Sequence, residues 1–242
     1  MTVYLLPDEP VFPPVDEAEP DGLVAIGGDL SVARLLQAYA QGIFPWYVDE
    51  DDFFWYSPDP RLVLFPEQYK APDSLRRIVK KNLFEVRIDT DFAQVVRSCS
   101  LAERPGQDGT WITSEFIEAY TALHHKGFAH SIETYYQGTL VGGLYGVSIG
   151  AAFFGESMFF SMSNASKVAF HHLVGHCKQH KLKFIDCQVE TSHLMSLGAR
   201  LVPRKDYLAM LEEAMIQPTF RGAWQPSPIS SGRQEDPPTG EH

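Results

Sequence analysis

The chain has 242 residues, of which 44% are hydrophobic and 21% charged, and its formal net charge is −11. This composition predicts a soluble globular protein, because no apolar run reaches the roughly 18 residues that a membrane helix requires. The first segment, "MTVYLLPDEP", does not have the pattern of an export signal, and three cysteines without CxxC spacing argue against a disulfide framework or a zinc ribbon. We therefore expect a cytoplasmic protein with reduced thiols.

The chain divides into three parts by composition. Residues 1–65 are rich in proline, glycine and aromatic residues and predict a small N-terminal lobe. This lobe contains one short helix, which Ser31 caps and Gly42 ends. Residues 66–216 alternate between helical and strand-like segments and predict a larger α/β domain. Residues 217–242 are rich in Pro, Ser and Gly, which predicts a disordered tail.

The larger domain begins with three predicted helices, the last of which starts at Thr113 and ends at Gly127. Three strand-like segments follow and are joined at Gln137-Gly138 and at Gly150, which predicts an antiparallel meander. A helix then leads to the segment "KFIDCQVE", and two further helices close the domain.

The segment "KFIDCQVE" has an unusual polar face for a predicted interior strand. Alternation places Ile185 on one face of the strand, and Asp186 and Gln188 on the other. The earlier segment "FFGESMFF" places Glu156 among apolar residues. A carboxylate in apolar surroundings is unfavourable unless it is hydrogen-bonded, or its pKa rises. Two interpretations remain open: a satisfied structural network, or a site that handles protons or orients an amine.

The first helix of the larger domain is strongly basic. Its charges recur at four-residue spacing and therefore occupy adjoining parts of one surface. A solvated helix face is the ordinary interpretation. Nearby tryptophans favour a second one, since basic grooves with aromatic platforms suit unpaired nucleotides. The basic residues are Arg76, Arg77, Lys80 and Lys81, and the tryptophans are Trp46, Trp55 and Trp111.

Several cofactor and catalytic motifs are missing from the sequence. His172, His176 and His180 recur every fourth residue, but without an H-E-x-x-H pattern we expect no metal site. The chain also lacks a G-x-S-x-G elbow, a P-loop and a G-x-G-x-x-G turn. The sequence therefore lacks the motifs of a serine hydrolase, a nucleoside triphosphatase or a dinucleotide-binding protein. We predict no cofactor.

An ordered set of segments over residues 20–210 resembles the bacterial leucyl/phenylalanyl-tRNA–protein transferase family. The segments are "GLVAIGGDLSVARLLQAYAQGIFPWY", "WYSPDPR", "GTWIT", "AHSIE", "LVGGLYGV", "FFGESMF", "NASK", "IDCQV" and "LGA".

The resemblance implies an α+β (α/β) fold, in which the larger domain is a GNAT-like acyltransferase with a mixed, largely antiparallel sheet flanked by helices. It implies an enzyme that transfers Leu or Phe, and in some cases Met, from aminoacyl-tRNA to the N-terminal Arg or Lys of acceptor proteins, which marks them for degradation. Users of acetyl-CoA in that fold carry a Q/R-x-x-G-x-G/A turn that "SMSNASKVAF" lacks. A CoA-dependent N-acyltransferase and a non-catalytic RNA-binding protein are the alternatives.

The resemblance also implies roles for individual residues. It places Asp186, Gln188 and Glu156 in the catalytic site. The two tryptophans of "FPW" and "TWIT", Trp46 and Trp111, correspond to positions near the terminal adenosine of the tRNA. The apolar pocket for the transferred side chain corresponds to Leu144, Phe153 and Ile185, where leucine stands at a position that is methionine in many relatives.

Two mechanisms for the acceptor amine are open at this stage. In the first, Asp186 accepts a hydrogen bond from the attacking amine and takes its proton, while Gln188 orients the carboxylate. In the second, Asp186 or Glu156 binds the cationic side chain of the acceptor. The basic helix is expected to bind acceptor-stem phosphates without reading base sequence.

Overall fold

A computed structural model describes residues 3–49, 52–102, 110–222 and 224. Within these residues the chain forms two mixed β-sheets and seven α-helices. The helices are Val32–Ala40 (α1), Asp73–Lys80 (α2), Phe92–Ser100 (α3), Ser114–His125 (α4), Ala165–Gln179 (α5), Ser192–Ser196 (α6) and Arg204–Met215 (α7).

The smaller sheet lies in the N-terminal part of the chain. Its strands are Tyr4–Leu6 (β1), Leu23–Gly27 (β2), Phe44–Asp49 (β3) and Asp52–Tyr56 (β4). They lie in the order β1-β2-β4-β3, with β1 and β2 parallel and the other pairs antiparallel. Helix α1 begins as predicted, since Ser31 accepts a hydrogen bond from the Arg34 amide, and Gly42 follows its end with φ of 74°.

The larger sheet has seven strands in the order β11-β5-β10-β9-β8-β7-β6. The predicted meander is confirmed, because β7, β8 and β9 pair as antiparallel neighbours. Strands β9 and β10 are parallel, joined through α5, and the other described neighbours are antiparallel. The strands are Arg61–Leu64 (β5), Glu85–Ile88 (β6), Ala129–Tyr136 (β7), Thr139–Ile149 (β8), Ala152–Phe160 (β9), Phe184–Gln188 (β10) and Arg200–Val202 (β11).

Helices cover both faces of the larger sheet. One face contributes Phe154 and Phe184 to a core shared with α1, α3, α4 and α7. The other face contributes Phe153 and Ile185 to a second core, which packs under α5. Successive residues of β9 and β10 thus face opposite cores, as strand alternation requires. The predicted mixed, largely antiparallel sheet with flanking helices is confirmed.

Two predicted boundaries need correction. Strand β5 was assigned to the N-terminal lobe, but all four of its residues are buried in the larger sheet, between β10 and β11. The connection between the sheets therefore lies at residues 57–60. A four-residue strand that follows the proline-rich "SPDP" gives too short a pattern to separate it from the preceding loops.

The predicted disorder from Gln217 is wrong for residues 217–222 and 224. The Thr219 hydroxyl accepts a hydrogen bond from the Gly150 amide at 2.8 Å, and Trp224 is 2% exposed. The rest of the predicted tail lies outside the described residues. None of the described helices has the length and apolar character needed to cross a bilayer.

Candidate active site

The candidate site lies where β10 ends, beside the middle of β9. The register pairs Asp186 with Phe154, so the same spacing sets Gln188 beside Glu156 two residues further along. The β10 ladder to β5 is irregular between Asp186 and Gln188, and Gln188 has φ of 63°. This bulge re-aims the glutamine side chain, whose Nε2 donates to Glu156 Oε1 at 3.0 Å.

The Glu156 carboxyl group is surrounded by neutral donors. The Tyr39 hydroxyl of α1 lies 2.8 Å from Oε1, and the Tyr120 hydroxyl of α4 lies 2.8 Å from Oε2. Burial raises the pKa of Glu156 to about 7, although the bonds from Tyr39, Tyr120 and Gln188 act in the opposite direction. The carboxyl group therefore titrates close to neutral pH, where a proton acceptor is most effective.

The two tyrosines also contact each other, since their hydroxyl oxygens lie 2.5 Å apart. Burial raises the pKa of both phenols well above the ordinary value, so each keeps its single proton. The ring formed by the two hydroxyls and the carboxyl group has three oxygen–oxygen contacts. The two phenolic protons are donated to Glu156 in this geometry, so the two hydroxyls hold the carboxyl group from both of its oxygens.

Asp186 is held in a different way. Its side chain is fully buried and forms a bidentate ion pair with Arg61, at 2.9 and 2.7 Å. Tyr207 donates to the same carboxylate at 2.8 Å, and so does the backbone amide of Gln188 at 2.9 Å. Each carboxylate oxygen thus accepts two hydrogen bonds, and the lone pairs of Asp186 are committed to protein donors.

Arg61 is buried with Asp186 and ties the two sheets together. Its Nη1 donates to the Gly42 carbonyl at 3.1 Å, and its guanidinium lies 4.7 Å from the ring centres of both Phe44 and Tyr207. Burial lowers the pKa of Arg61, but the charge and hydrogen bonds of Asp186, together with contributions from Tyr207 and Glu156, outweigh it and raise that pKa. The guanidinium therefore stays charged, and it joins the N-terminal lobe to β10.

The geometry around Asp186 and Gln188 differs from the predicted arrangement. The amide of Gln188 was expected to orient the Asp186 carboxylate. Instead, Asp186 holds the backbone of Gln188, and the glutamine side chain reaches Glu156. Asp186 therefore acts on the position of Gln188, whereas Glu156 offers the carboxyl group that can change its charge.

The three predicted pocket residues do come together. Leu144, Phe153 and Ile185 belong to one buried cluster, each at most 3% exposed. Met158 and Cys187 are half-buried and pack against it. Met158 and Cys187 lie within two residues of Glu156 and Gln188 in the chain, but the cluster packs under α5, whereas Tyr39 and Tyr120 belong to the core on the other face of the sheet.

Both predicted tryptophans are half-buried and reach the carboxylates through other aromatic rings. Trp111 packs on Phe116, which stacks on Tyr120. Trp46 packs on Phe44, whose ring lies beside Arg61. In these contacts one or two other rings separate each indole from Glu156 or Asp186. The two tryptophans therefore lie at the margin of the site.

Other predicted features lie elsewhere. Helix α2 exposes the four basic residues and buries Leu75 on its opposite face, and the described contacts do not bring it to Glu156. The described residues contain no group of three or more His, Cys, Asp or Glu that could hold a metal ion. The four basic side chains are Arg76, Arg77, Lys80 and Lys81.

Four residues of the site were not predicted from the sequence: Tyr39, Tyr120, Arg61 and Tyr207. Three of them are tyrosines on the buried faces of helices, and a buried phenol needs a hydrogen-bond partner. The position of these tyrosines on the buried faces of predicted helices was therefore a signal that each has a polar partner. The partners are carboxylates at distant positions in the chain, which a local sequence pattern does not identify.

Comparisons with known proteins assign the chain to a family. The family model described as leucyl/phenylalanyl-tRNA protein transferase matches residues 63–212, and its N-terminal domain matches residues 28–59. The leucyl/phenylalanyl-tRNA–protein transferase of Anaeromyxobacter dehalogenans strain 2CP-C is 52% identical over 225 residues, which cover 93% of this chain and 97% of that protein. The protein of the same name from Nitratidesulfovibrio vulgaris strain DP4 is 53% identical over 226 residues, with the same coverage.

Solved structures give more distant likenesses. The crystal structure of FemX matches with a TM-score of 0.45 and 12% identity, over 75% of this chain and 71% of that one. A GCN5-related N-acetyltransferase-like protein from Streptococcus suis matches with a TM-score of 0.35 and 12% identity, over 71% of this chain and 65% of that one. The sequence matches decide the assignment: the chain belongs to the leucyl/phenylalanyl-tRNA–protein transferase family.

Proposed function

We propose that this aminoacyltransferase moves Leu or Phe from aminoacyl-tRNA to the N-terminal Arg or Lys of acceptor proteins in the cytoplasm, and that Glu156 receives the acceptor amine. The observation that carries the proposal is the environment of Glu156. Its carboxyl group has a pKa near 7 and is held by three neutral donors, Tyr39, Tyr120 and Gln188.

The reaction requires the removal of protons from the attacking amine. An N-terminal ammonium group with a pKa near 8 must lose one proton before its nitrogen attacks the ester carbonyl. A carbon–nitrogen bond then forms and the ester bond to the ribose breaks. Of the two protons that leave the nitrogen, one goes to the departing ribose oxygen and the other to Glu156, which later releases it to water. A carboxyl group with a pKa near 7 is matched to this proton transfer.

Asp186 has a positioning role in this mechanism. It is bound to Arg61, Tyr207 and the Gln188 amide, so it has no free lone pair for the amine. Its bond to the Gln188 backbone supports the left-handed conformation that directs the glutamine amide to Glu156. The alternative, in which Asp186 takes the proton itself, would require the ion pair to open.

We further propose that the cluster of Leu144, Phe153 and Ile185 receives the transferred side chain. An apolar pocket discriminates by about 1–3 kcal/mol per methylene, enough to favour Leu and Phe over smaller residues. Trp46 and Trp111 offer half-exposed aromatic faces on which the terminal adenosine can stack. Their positions at the margin of the site fit a nucleoside whose ester reaches inward to Glu156.

Helix α2 is proposed to bind the acceptor stem of the tRNA. Its four exposed cations oppose the net charge of the chain and contact phosphates, which carry no sequence information. Replacing all four by glutamine should lower tRNA affinity and flatten its dependence on salt, by about 0.7–0.9 in the logarithmic slope for each lost contact. Lys205→Gln, an exposed lysine of α7, is the control. An unchanged tRNA affinity in the quadruple variant would show that α2 does not bind the acceptor stem.

Labelled Phe-tRNA incubated with a peptide that begins with Arg tests the function directly. We expect the label to appear on the peptide, and an otherwise identical peptide with an acetylated N-terminus to remain unlabelled. A peptide that begins with Glu should also be a poor acceptor. Binding of the tRNA without transfer would favour an RNA-binding protein, and transfer from acyl-CoA would favour a CoA-dependent enzyme.

A further inference from the structure

Residues 217–222 and 224 lie against the larger sheet, and Trp224 is 2% exposed. Arg221 donates to the Lys126 carbonyl at 3.1 Å, and its guanidinium lies 4.5 Å from the centre of the Phe128 ring. The Trp224 backbone amide donates to Asp89 Oδ2 at 2.7 Å. Together with the bond between Thr219 and the Gly150 amide, these contacts hold Trp224 and the described residues before it against the sheet.

The Trp224 indole occupies a slot between two histidine rings. It stacks on His130 of β7 with 3.9 Å between ring centres, and on His176 of α5 with 4.0 Å. His130 is held in turn by Asp89, whose Oδ2 lies 2.8 Å from its Nδ1. Asp89 thus binds both the wall of the slot and the backbone of the residue that fills it. This arrangement leaves the indole little freedom to move.

The filled slot adjoins the proposed side-chain pocket. Trp224 belongs to the same cluster as Leu144, Phe153 and Ile185, and its ring centre lies 5.8 Å from that of Phe153. On another side, the Phe153 ring rests on the bare backbone of Gly146, where an added Cβ would lie 2.6 Å from Cζ. Phe153 is therefore confined between Gly146 and Trp224.

We propose that Trp224 is a specificity-determining residue of the transfer reaction, because it limits how far Phe153 can withdraw from the pocket. This inference rests on the proposed function, in which the cluster receives the transferred side chain. A smaller residue at position 224 lets Phe153 move back and deepens the pocket. Larger donors should gain relative to leucine, and the gain should grow as residue 224 becomes smaller.

The test compares kcat/KM for Leu-tRNA, Phe-tRNA and Trp-tRNA in the full chain and its variants. For Trp224→Leu we expect the ratio of Trp transfer to Leu transfer to rise about tenfold, the lower end of what one methylene can change in such a pocket. Trp224→Phe should shift the ratio in the same direction by a smaller factor. Because Trp224→Phe keeps an aromatic ring in the slot, it tests whether residue 224 sets the donor ratio even if Trp224→Leu fails to fold.

The matched control is Phe220→Leu. Phe220 lies in the same segment and packs on His180, but it is half-exposed and outside the Phe153 cluster. Its replacement should leave the ratio unchanged. Loss of transfer by one common factor for all three donors, or an equal shift in Phe220→Leu, would overturn this inference and leave the proposed function intact. A wild-type chain that transfers none of the three would overturn the proposed function itself.

Discussion

Strands β9 and β10 carry two neighbouring carboxyl groups that accept hydrogen bonds from different kinds of donor. Asp186 on β10 is fully buried, pairs with the Arg61 cation and accepts four hydrogen bonds. The described hydrogen bonds of Glu156 on β9 all come from neutral donors, and burial raises the pKa of Glu156 to about 7. A cation makes a carboxylate structural, whereas neutral donors leave it able to exchange a proton.

The comparison predicts that the two carboxyl groups respond differently to replacement by the isosteric amide. Glu156→Gln should lower kcat by about 10²–10⁴-fold, the usual contribution of a positioned proton acceptor. The folded state should be retained, because the amide keeps a donor and an acceptor for the tyrosine ring. Single-turnover transfer from Phe-tRNA measures the effect.

The control for this variant is Glu133→Gln. Glu133 is a buried glutamate of β7 whose pKa burial likewise raises to about 7, but its described hydrogen bonds go to Thr90 and to Ser131, and none of them reaches Glu156. Its replacement should leave kcat unchanged. Wild-type kcat in Glu156→Gln would return the proton-accepting role to Asp186 or to the tRNA.

Replacement of Asp186 should affect stability first. Asp186→Asn leaves Arg61 buried without a counter-charge, which typically costs about 3–5 kcal/mol. We expect a correspondingly lower free energy of unfolding in urea, and a larger effect on acceptor KM than on kcat in the protein that remains folded. Tyr207→Phe removes a neutral donor and should cost only about 1 kcal/mol. Equal stability of Asp186→Asn and the wild type would show that the pair is not structural.

Local sequence patterns predict the strands and the helix cap, but they do not predict the partners of the two carboxyl groups. Alternation along β10, the meander and the Ser31 cap follow from local patterns, and the structure has all three. The role of each carboxylate depends on partners far along the chain: Arg61 lies 125 residues from Asp186, and Tyr39 lies 117 residues from Glu156. The left-handed Gln188 was also hidden, because the bulge arises from pairing with β5, and no glycine marks it.

The raised pKa of Glu156 predicts how stability depends on pH. Between the ordinary value of 4.5 and about 7, the folded state holds a proton that the unfolded chain has lost. The resulting stabilisation is complete below pH 4.5 and disappears as pH rises to about 7. A rise of that size corresponds to at most about 3 kcal/mol.

Urea unfolding at several pH values measures this contribution. The stability of Glu156→Gln relative to the wild type should increase between pH 5 and pH 7.5 and then level off. Glu133→Gln should behave in the same way, since burial also raises the pKa of Glu133 to about 7. A pH-independent difference for Glu156→Gln would mean that Glu156 is ionised throughout, like an ordinary surface carboxylate.

The smallest expected effect is a shift in the pH–rate profile, which distinguishes the tyrosines bound to Glu156 from the tyrosine bound to Asp186. Tyr39 and Tyr120 donate to Glu156 and lower its pKa, so Tyr120→Phe should raise that pKa further above its present value near 7. Loss of one neutral hydrogen bond is worth about 0.5–1.5 kcal/mol, so the midpoint of the pH–rate profile should move upward by about one pH unit or less. Tyr207→Phe, which removes a donor from Asp186, should leave that midpoint in place. A shift in Tyr207→Phe and none in Tyr120→Phe would exchange the roles of the two carboxyl groups, because the pH dependence of the rate would then follow Asp186.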